Sequence, residues 1–179
     1  MDHADHLNLI RKGVPNKGGI WAEFGSGRGA FTMALAELIG LNGEIFSVDK
    51  DRRALREQER AIRKRFVGQE PRMHYLAADY IFPLDLPPLD GILMANSLHF
   101  QRDKKIILRT ILDYLSPGGS IIIVEYNINR GNPWVPFPIS YDDWEKLAQE
   151  CGFIHIRILG VRPSSTMREI YSAAGDKPT

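Results

Sequence analysis

The sequence predicts an α/β fold, namely a doubly wound, mostly parallel seven-stranded sheet with an antiparallel terminal strand and helices on both faces. Two observations lead to this prediction. Short apolar runs alternate with segments of helical periodicity along the 179 residues, which is the pattern of parallel strands joined by helical crossovers. One run, SIIIVEY at 120–126, is almost continuously apolar, as expected of a strand that is buried on both faces.

The first half of the chain supplies three strands and two helices. A short apolar run at 20–24 leads into a glycine-rich turn, and the helix that follows has Phe31 and Leu35 on its apolar stripe. The second strand, 44–49, precedes a polar helix that is rich in arginine, and the third strand covers 73–79. Both of these strands end in an aspartate.

The second half continues the alternation and ends on a hairpin. Only ten residues separate Asp79 from Asp90, so we expect a single helical turn in this crossover. The remaining elements comprise a strand at 91–96, a helix from Asp103 to Leu115 with Ile106, Ile107, Thr110, Ile111 and Tyr114 facing inward, the strand at 120–126, a long loop at 127–139, a helix from Asp142 to Cys151, and two terminal strands near 153–161 and 167–174.

Length and composition limit the functions that are open to the chain. We expect a single domain over residues 1–179, in which residues 1–17 are either mobile or cap the fold. The formal net charge is +1, so no general attraction to nucleic acid or to an anionic membrane is expected. The single cysteine, Cys151, fits a reducing compartment. Because the start of the chain is polar and no apolar run approaches the roughly 20 residues of a membrane span, we expect a cytoplasmic protein.

Polar side chains stand at the carboxyl ends of four successive strands. They are Glu23, Asp49, Asp79 and Asn96. In open α/β sheets, ligands bind outside the carboxyl ends of the strands. The sequence therefore predicts a ligand site at this edge of the sheet.

The stretch IWAEFGSGRGAF (20–31) contains the glycine-rich turn that follows the first strand. Gly25, Gly27 and Ala30 fit the dinucleotide fingerprint, whereas Gly25, Gly27 and Gly29 fit a different loop. A dinucleotide would place its diphosphate at the start of the next helix, where the carboxylate of Glu23 would repel it. The same carboxylate would attract a cationic ligand that carries an ammonium and a sulfonium group.

AEFGSGRG resembles the acid-x-Gly-x-Gly-x-Gly signature of class I S-adenosylmethionine-dependent methyltransferases. FSVDK, LAADY, LDGILMANSLHF and LSPGGSIIIVEY are similar to the later motifs of that family, and the resemblance extends over roughly residues 18 to 174. It implies S-adenosylmethionine as the cofactor, with Asp49 on the ribose hydroxyls and Asp79 on the adenine amino group. The cofactor-binding residues that it implies are Glu23, Gly25, Ser26, Gly27, Asp49, Lys50, Asp79, Tyr80 and Asn96. Four of them have structural alternatives. Gly25 and Gly27 could provide only a tight turn and close helix packing, Asp49 could cap the next helix, and Tyr80 could be a core aromatic residue.

The acceptor side of the site is less clearly specified. NSLH differs from the Asn/Asp-Pro-Pro-aromatic signature of enzymes that methylate amino groups of nucleic acids, and it resembles small-molecule methyltransferases instead. His99 and Tyr126 are candidate catalytic residues, although His99 could equally be a structural histidine bonded to backbone. Trp134 and Phe137 could form an aromatic lid over the acceptor or pack on the sheet edge. We see no clustered metal ligands.

The arginine-rich helix, KDRRALREQERAIRKR (50–65), has eight basic residues. A nucleic-acid surface is one interpretation, but we favour a solvated helix face. Two alternatives to a methyltransferase remain open at this point. One is a nicotinamide-dependent oxidoreductase, and the other is a non-catalytic cofactor-binding subunit that acts with a partner or in a homo-oligomer.

Overall fold

The computed structural model describes residues 1–164 and 167–179. Its strands are β1 (Gly19–Phe24), β2 (Gly43–Asp49), β3 (Arg72–Ala77), β4 (Leu89–Ala95), β5 (Leu115–Tyr126), β6 (Ile154–Pro163) and β7 (Glu169–Asp176). They form one sheet in the order β3-β2-β1-β4-β5-β7-β6. Strand β7 runs antiparallel to β5 and β6, and the other pairs are parallel. The predicted fold class is therefore confirmed.

Five α-helices cover the two faces of this sheet in the described ranges. They are α1 (His3–Ile10), α2 (Ala30–Ile39), α3 (Arg52–Phe66), α4 (Lys104–Tyr114) and α5 (Tyr141–Cys151). Buried side chains of α1, α2 and α3 pack together on one face, and those of α4 and α5 pack on the other. None of the helices in the described part of the chain combines the length and the apolar character that a bilayer span requires.

The N-terminus of α2 differs from those of the other four helices, because no side chain caps its first backbone amides. Side-chain oxygens of Asp2, Asp51, Asp103 and Ser140 accept hydrogen bonds from first-turn amides of α1, α3, α4 and α5. Helix α2 instead starts after Gly29, which has a φ of 81° and provides no side-chain cap. The first amides of α2 therefore lie without a side-chain acceptor directly after the glycine-rich turn.

Residues 1–17, expected to be mobile or to cap the fold, contain α1. Leu7, Leu9 and Ile10 are buried against α2 and the strands behind it. The hydroxyl of Ser172, on β7, donates a hydrogen bond of 2.5 Å to the carbonyl oxygen of Leu9. These contacts hold the first helix on the same face of the sheet as α2.

Two details differ from the sequence-based expectations. Ile106 was predicted to face inward, but it is 62% exposed, and Leu108 is buried in its place. The inward stripe of α4 is Lys104, Ile107, Leu108 and Ile111, a helical spacing that leaves position 106 on the opposite side. The connection between β3 and β4 forms no helix. It makes one hydrogen-bonded turn, from the Phe82 amide to the Asp79 carbonyl at 3.1 Å, and its three prolines supply no amide donors.

Candidate cofactor and acceptor site

A cavity of about 160 Å³ opens at the carboxyl ends of β1, β2 and β4 and beside the segment that follows β3. This is the place where the strand order reverses, since β4 lies beside β1 rather than β3. The cavity is lined by Gly25, Asp49, Lys50, Ala78, Asp79, Tyr80, Asn96, Ser97, Phe100 and Gln101. Six of the nine predicted cofactor-binding residues are among them, whereas Glu23, Ser26 and Gly27 are not.

The glycine-rich turn approaches β4 closely. Gly25 has a φ of 78°, and a Cβ atom at this position would lie 2.5 Å from the Cβ of Ser97. Only glycine fits this conformation and this contact. At Gly27 a Cβ atom would project into open space, and the amide of Gly27 donates to Asp49 Oδ2 at 2.7 Å. The turn therefore exposes backbone, rather than side chains, to a ligand.

Glu23 lies beneath this turn. It is buried, and it accepts a hydrogen bond from the hydroxyl of Thr32 on α2. Burial raises the pKa of the Glu23 carboxyl to about 8, and the nearby carboxylate of Asp49 acts in the same direction, while the Thr32 hydrogen bond opposes both. In the free protein at neutral pH, Glu23 is therefore mostly protonated.

A buried polar network connects Glu23 to the rest of the turn. Gln58 Nε2, from α3, donates to Thr32 Oγ1 at 2.7 Å and to Ser47 Oγ at 2.9 Å. The hydroxyl of Ser47 in turn donates to Ser26 Oγ at 2.7 Å. The network fixes the turn from below, and it gives Ser26 a role in the protein interior rather than on the cavity wall.

Asp49 is held by backbone donors on two sides. Its Oδ2 accepts from Gly27, and its Oδ1 accepts from the amide of Asp51 at 2.8 Å. The helix cap that was considered for Asp49 belongs instead to Asp51, which accepts from the amides of Arg53 and Ala54. Each oxygen of Asp49 retains acceptor capacity toward the cavity, because a carboxylate oxygen can accept two hydrogen bonds.

Tyr80 lines the cavity and also belongs to the core. Its hydroxyl donates to the carbonyl of Ser97 at 2.9 Å and accepts from Gln101 Nε2 at 3.0 Å, and its ring stacks on Phe24 with centroids 5.7 Å apart. Burial raises the pKa of Tyr80 to about 12. Asp79, beside it, is half-buried and accepts from the amide of Ile81 at 3.2 Å.

Asn96 has the most unusual backbone of the residues that line the cavity. Its φ is 51°, in the left-handed region that side chains other than glycine rarely adopt. Its amide donates to the carbonyl of Val124 at 2.8 Å, but its buried Oδ1 has no hydrogen-bond partner among the described residues. Buried polar atoms are almost always paired, so this oxygen is suited to accept a hydrogen bond from a ligand.

The candidate catalytic residues lie on the other side of β4. His99 is buried, with its Nδ1 at 2.6 Å from Glu125 Oε2 and its backbone amide donating to Glu125 Oε1 at 3.2 Å. The centroid of its ring is 4.4 Å from the ring centroid of Phe100, which lines the cavity, and 6.4 Å from that of Tyr126. His99 and Tyr126 are therefore near each other, but neither lines the cavity.

The two candidate lid residues differ in exposure. Trp134 is 75% exposed and Phe137 is 38% exposed. The amide of Phe137 donates to the carbonyl of His99 at 3.0 Å, and Lys104 Nζ lies 6.0 Å from its ring centre. The loop is thus attached beside His99 through Phe137. Residues 1–164 and 167–179 contain no group of three His, Cys, Asp or Glu side chains that could hold a metal ion.

Sequence reasoning missed several residues of this region. Gln58 and Glu125 are polar side chains within apolar patterns, the first between Leu55 and Ile62 on the buried stripe of α3 and the second in the apolar run of β5. A polar residue at a buried position was the signal that could have identified both. Ser97, Phe100 and Gln101 carried no comparable signal, because they belong to the short turn that follows β4.

The methyltransferase-domain family matches residues 22–121, and a search of curated proteins gave no match. The YcgJ protein from Bacillus subtilis has a TM-score of 0.76 at 11% identity, over 99% of this chain and 100% of that one.

Two larger enzymes share the fold. An arsenic(III) S-adenosylmethionine methyltransferase from Chlamydomonas reinhardtii has a TM-score of 0.72 at 18% identity, over 91% of this chain and 64% of that one. Phosphoethanolamine N-methyltransferase 2 from Haemonchus contortus, in complex with phosphomonomethylethanolamine and S-adenosylhomocysteine, has a TM-score of 0.77 at 15% identity, over 98% of this chain and 53% of that one. The family match covers more than half of the chain and extends from β1 into β5, so the chain belongs to the methyltransferase-domain family of class I S-adenosylmethionine-dependent enzymes that its glycine-rich turn resembles.

Proposed function

We propose that this protein transfers a methyl group from S-adenosylmethionine to a small-molecule acceptor by in-line displacement, and that it does so in the cytoplasm. The observation that carries the proposal is the unpaired oxygen of Asn96, at a cavity that also contains Asp49 and Asp79. Three acceptor groups around one cavity suit a ligand with an ammonium, ribose hydroxyls and an adenine amino group to donate. The reducing compartment agrees with Cys151, the single cysteine, which is free and buried.

The cofactor contacts are divided among the strand ends. We assign the ribose hydroxyls to Asp49, the adenine amino group to Asp79 and the ammonium to Asn96. Gly25 and Gly27 allow backbone to approach the ligand, while Glu23 and Ser26 support the turn from below. Tyr80 offers a ring surface beside Asp79, and Lys50 lies exposed at the rim of the cavity.

Glu23 adds an electrostatic preference to these contacts. In the free protein the protonated carboxyl of Glu23 carries no charge, so it neither repels an anion nor attracts a cation strongly. A cationic group at this end of the turn would favour the ionised carboxylate, whereas a diphosphate would disfavour it further. The turn therefore favours a cationic ligand over a dinucleotide.

S-adenosylmethionine supplies a methyl group that is already activated by the sulfonium, so the protein mainly aligns the acceptor and excludes water. His99 is the residue that we assign to remove a proton from the acceptor. The carboxylate of Glu125 accepts from His99 Nδ1, which leaves the lone pair on Nε2 free to take that proton. Tyr126 lies beside this pair, and Trp134 and Phe137 would cover the acceptor.

Calorimetric titration with S-adenosylhomocysteine tests this assignment. We expect Glu23→Gln and Asp49→Ala each to weaken binding about tenfold, or about 1.4 kcal/mol. Asp113→Ala is the matched control, since Asp113 is an exposed carboxylate on α4 that does not line the cavity. Unchanged affinity in both site variants would refute the assignment.

A further inference from the structure

The outer face of α3 carries a row of four positive charges. Arg52, Arg56, Arg60 and Lys64 follow each other at intervals of four residues, and all four are exposed. Residues spaced by four lie on the same side of a helix. None of the four forms an ion pair within the part of the chain that the structure describes.

The acids near this row neutralise its neighbours instead. Within α3, Glu57 pairs with Arg53 at 3.1 Å and Glu59 pairs with Arg63 at 2.7 Å. Arg65 pairs with Glu37 of α2 at 3.1 Å. Acids on α3 and α2 therefore pair these flanking arginines, while the central row is left without an acidic partner in the described residues. The formal net charge of +1 does not reveal this local excess of positive charge.

The row does not help the helix to form. Like charges at a spacing of four residues destabilise a helix. In addition, Arg52 occupies the first position of α3, directly after the cap Asp51, although the positive end of the helix dipole disfavours a basic residue there. Packing of α3 depends on its other face, where Ala54, Leu55, Gln58 and Ile62 are buried. Neither helix formation nor packing explains the row.

The chemistry of the row suits a line of phosphates. Successive charges are separated by about 6 Å along the helix axis, and the row is about 18 Å long. Three of the four are arginines, whose planar guanidinium groups bind phosphate oxygens in pairs. The exposed positions of α3 are all Arg or Lys, so this face has no apolar side chains to insert into a bilayer.

We propose that the row Arg52, Arg56, Arg60 and Lys64 is a docking surface for the phosphate backbone of a nucleic acid. The contact is independent of base sequence, because the row presents only charges. It begins two residues after Lys50, which lines the cavity, so the docked strand passes the rim of the candidate cofactor site. This inference replaces the solvated face that the sequence favoured, and it does not depend on the proposed methyl transfer.

Fluorescence anisotropy with a labelled 20-base-pair DNA duplex at 50 mM salt tests the proposal. The row variant changes all four residues to Gln, and the control variant changes Lys12, Lys17, Arg102 and Lys146 to Gln. The control residues are exposed and form no ion pair in the described residues, so both variants lose the same charge. We expect the row variant to bind at least tenfold more weakly. The plot of log K against log salt has a negative slope, and its magnitude should decrease by about 3 to 4. The control should retain both the affinity and the slope.

Three results would overturn the proposal. The first is no binding of the duplex by the unmodified protein, and the second is an equal loss of affinity in both variants, which would indicate overall charge. The third is binding to vesicles of anionic phospholipid with none to the duplex. Circular dichroism and S-adenosylhomocysteine affinity show whether the row variant is folded. The binding assay contains no cofactor or acceptor, so its failure is distinguishable from failure of the proposed function.

Discussion

The two halves of the carboxyl edge of the sheet are built differently. On the side of β1, β2 and β3, the amides of Gly25 and Ser26 donate to the carbonyl of Val48. The buried network around Gln58 holds the same turn from below. On the side of β5, the long loop at 127–139 carries Trp134 and Phe137 exposed, and its attachment beside His99 is one backbone hydrogen bond from Phe137. The first half is thus fixed around the cavity by buried contacts, whereas the second presents exposed aromatic side chains. Under the proposed function, the first half holds the cofactor and the second half receives the acceptor.

The largest expected effect is on the stability of the protein, and it comes from Glu23 beneath the turn that follows β1. The pKa of Glu23 is raised to about 8 from an ordinary value of 4.5. Between these two values the unfolded chain loses the proton and the folded protein retains it, so the free energy of unfolding falls as pH rises. Glu23→Gln removes this dependence. Its advantage over the unmodified protein should grow from pH 5 to pH 8, by up to several kcal/mol, and then level off.

Urea unfolding at pH 5, 6.5 and 8 measures this difference. Asp113→Asn is the matched control, because Asp113 is an exposed acid on α4 that forms no ion pair in the described residues and should leave the pH dependence unchanged. If the stabilities of the unmodified protein and Glu23→Gln change equally between pH 5 and pH 8, Glu23 is ionised over this whole range. That result would contradict the burial of its carboxyl beneath the turn.

The second expected effect separates catalysis from cofactor binding. His99→Gln removes the proton acceptor from the second half, so kcat should fall by about 10² to 10⁴. The affinity for S-adenosylhomocysteine should remain within about twofold, because His99 does not line the cavity. Steady-state kinetics and calorimetry on one preparation check both values. If His99→Gln lowers both kcat and the affinity for S-adenosylhomocysteine, the cofactor and acceptor halves of the edge do not act independently.

The third effect is expected at the turn itself. Gly25→Ala places a methyl group 2.5 Å from Ser97 Cβ at a φ of 78°, so the turn must move and S-adenosylhomocysteine binding should weaken by one to two orders of magnitude. Gly40→Ala controls for backbone strain, since Gly40 has a φ of 67° at the far end of α2 and a Cβ atom there meets open space. Equal affinity losses in the two variants would assign the effect to strain alone.

The smallest effect is expected at the lid. Trp134→Ala should change the free energy of unfolding by no more than about 0.5 kcal/mol, because Trp134 is largely exposed. It should raise KM for the acceptor while leaving the affinity for S-adenosylhomocysteine unchanged. Ile106→Ala, at an equally apolar exposed position on α4, is the control for KM. A large loss of stability would place Trp134 in the core instead.

Much of the fold and part of the site could be predicted from the sequence. Asp49, Asp79 and Asn96 follow apolar strands, and parallel strands bring their carboxyl ends together at one edge, so their proximity required no knowledge of packing. The burial of Glu23 could not be predicted in the same way, because its desolvation depends on α2 and α3 closing over it. Gln58 and Glu125 were missed for a related reason. Each interrupts an apolar pattern, but the partners that they bind across the fold, Thr32 and Ser47 for Gln58 and His99 for Glu125, come together only in the folded chain.

The claim that this edge binds a cationic ligand rather than a diphosphate is tested most directly by a displacement titration. S-adenosylhomocysteine is titrated calorimetrically into the protein in the absence and in the presence of excess NAD. We expect the same Kd in both titrations, because NAD does not occupy the glycine-rich turn. An apparent Kd that rises in proportion to the NAD concentration would contradict it.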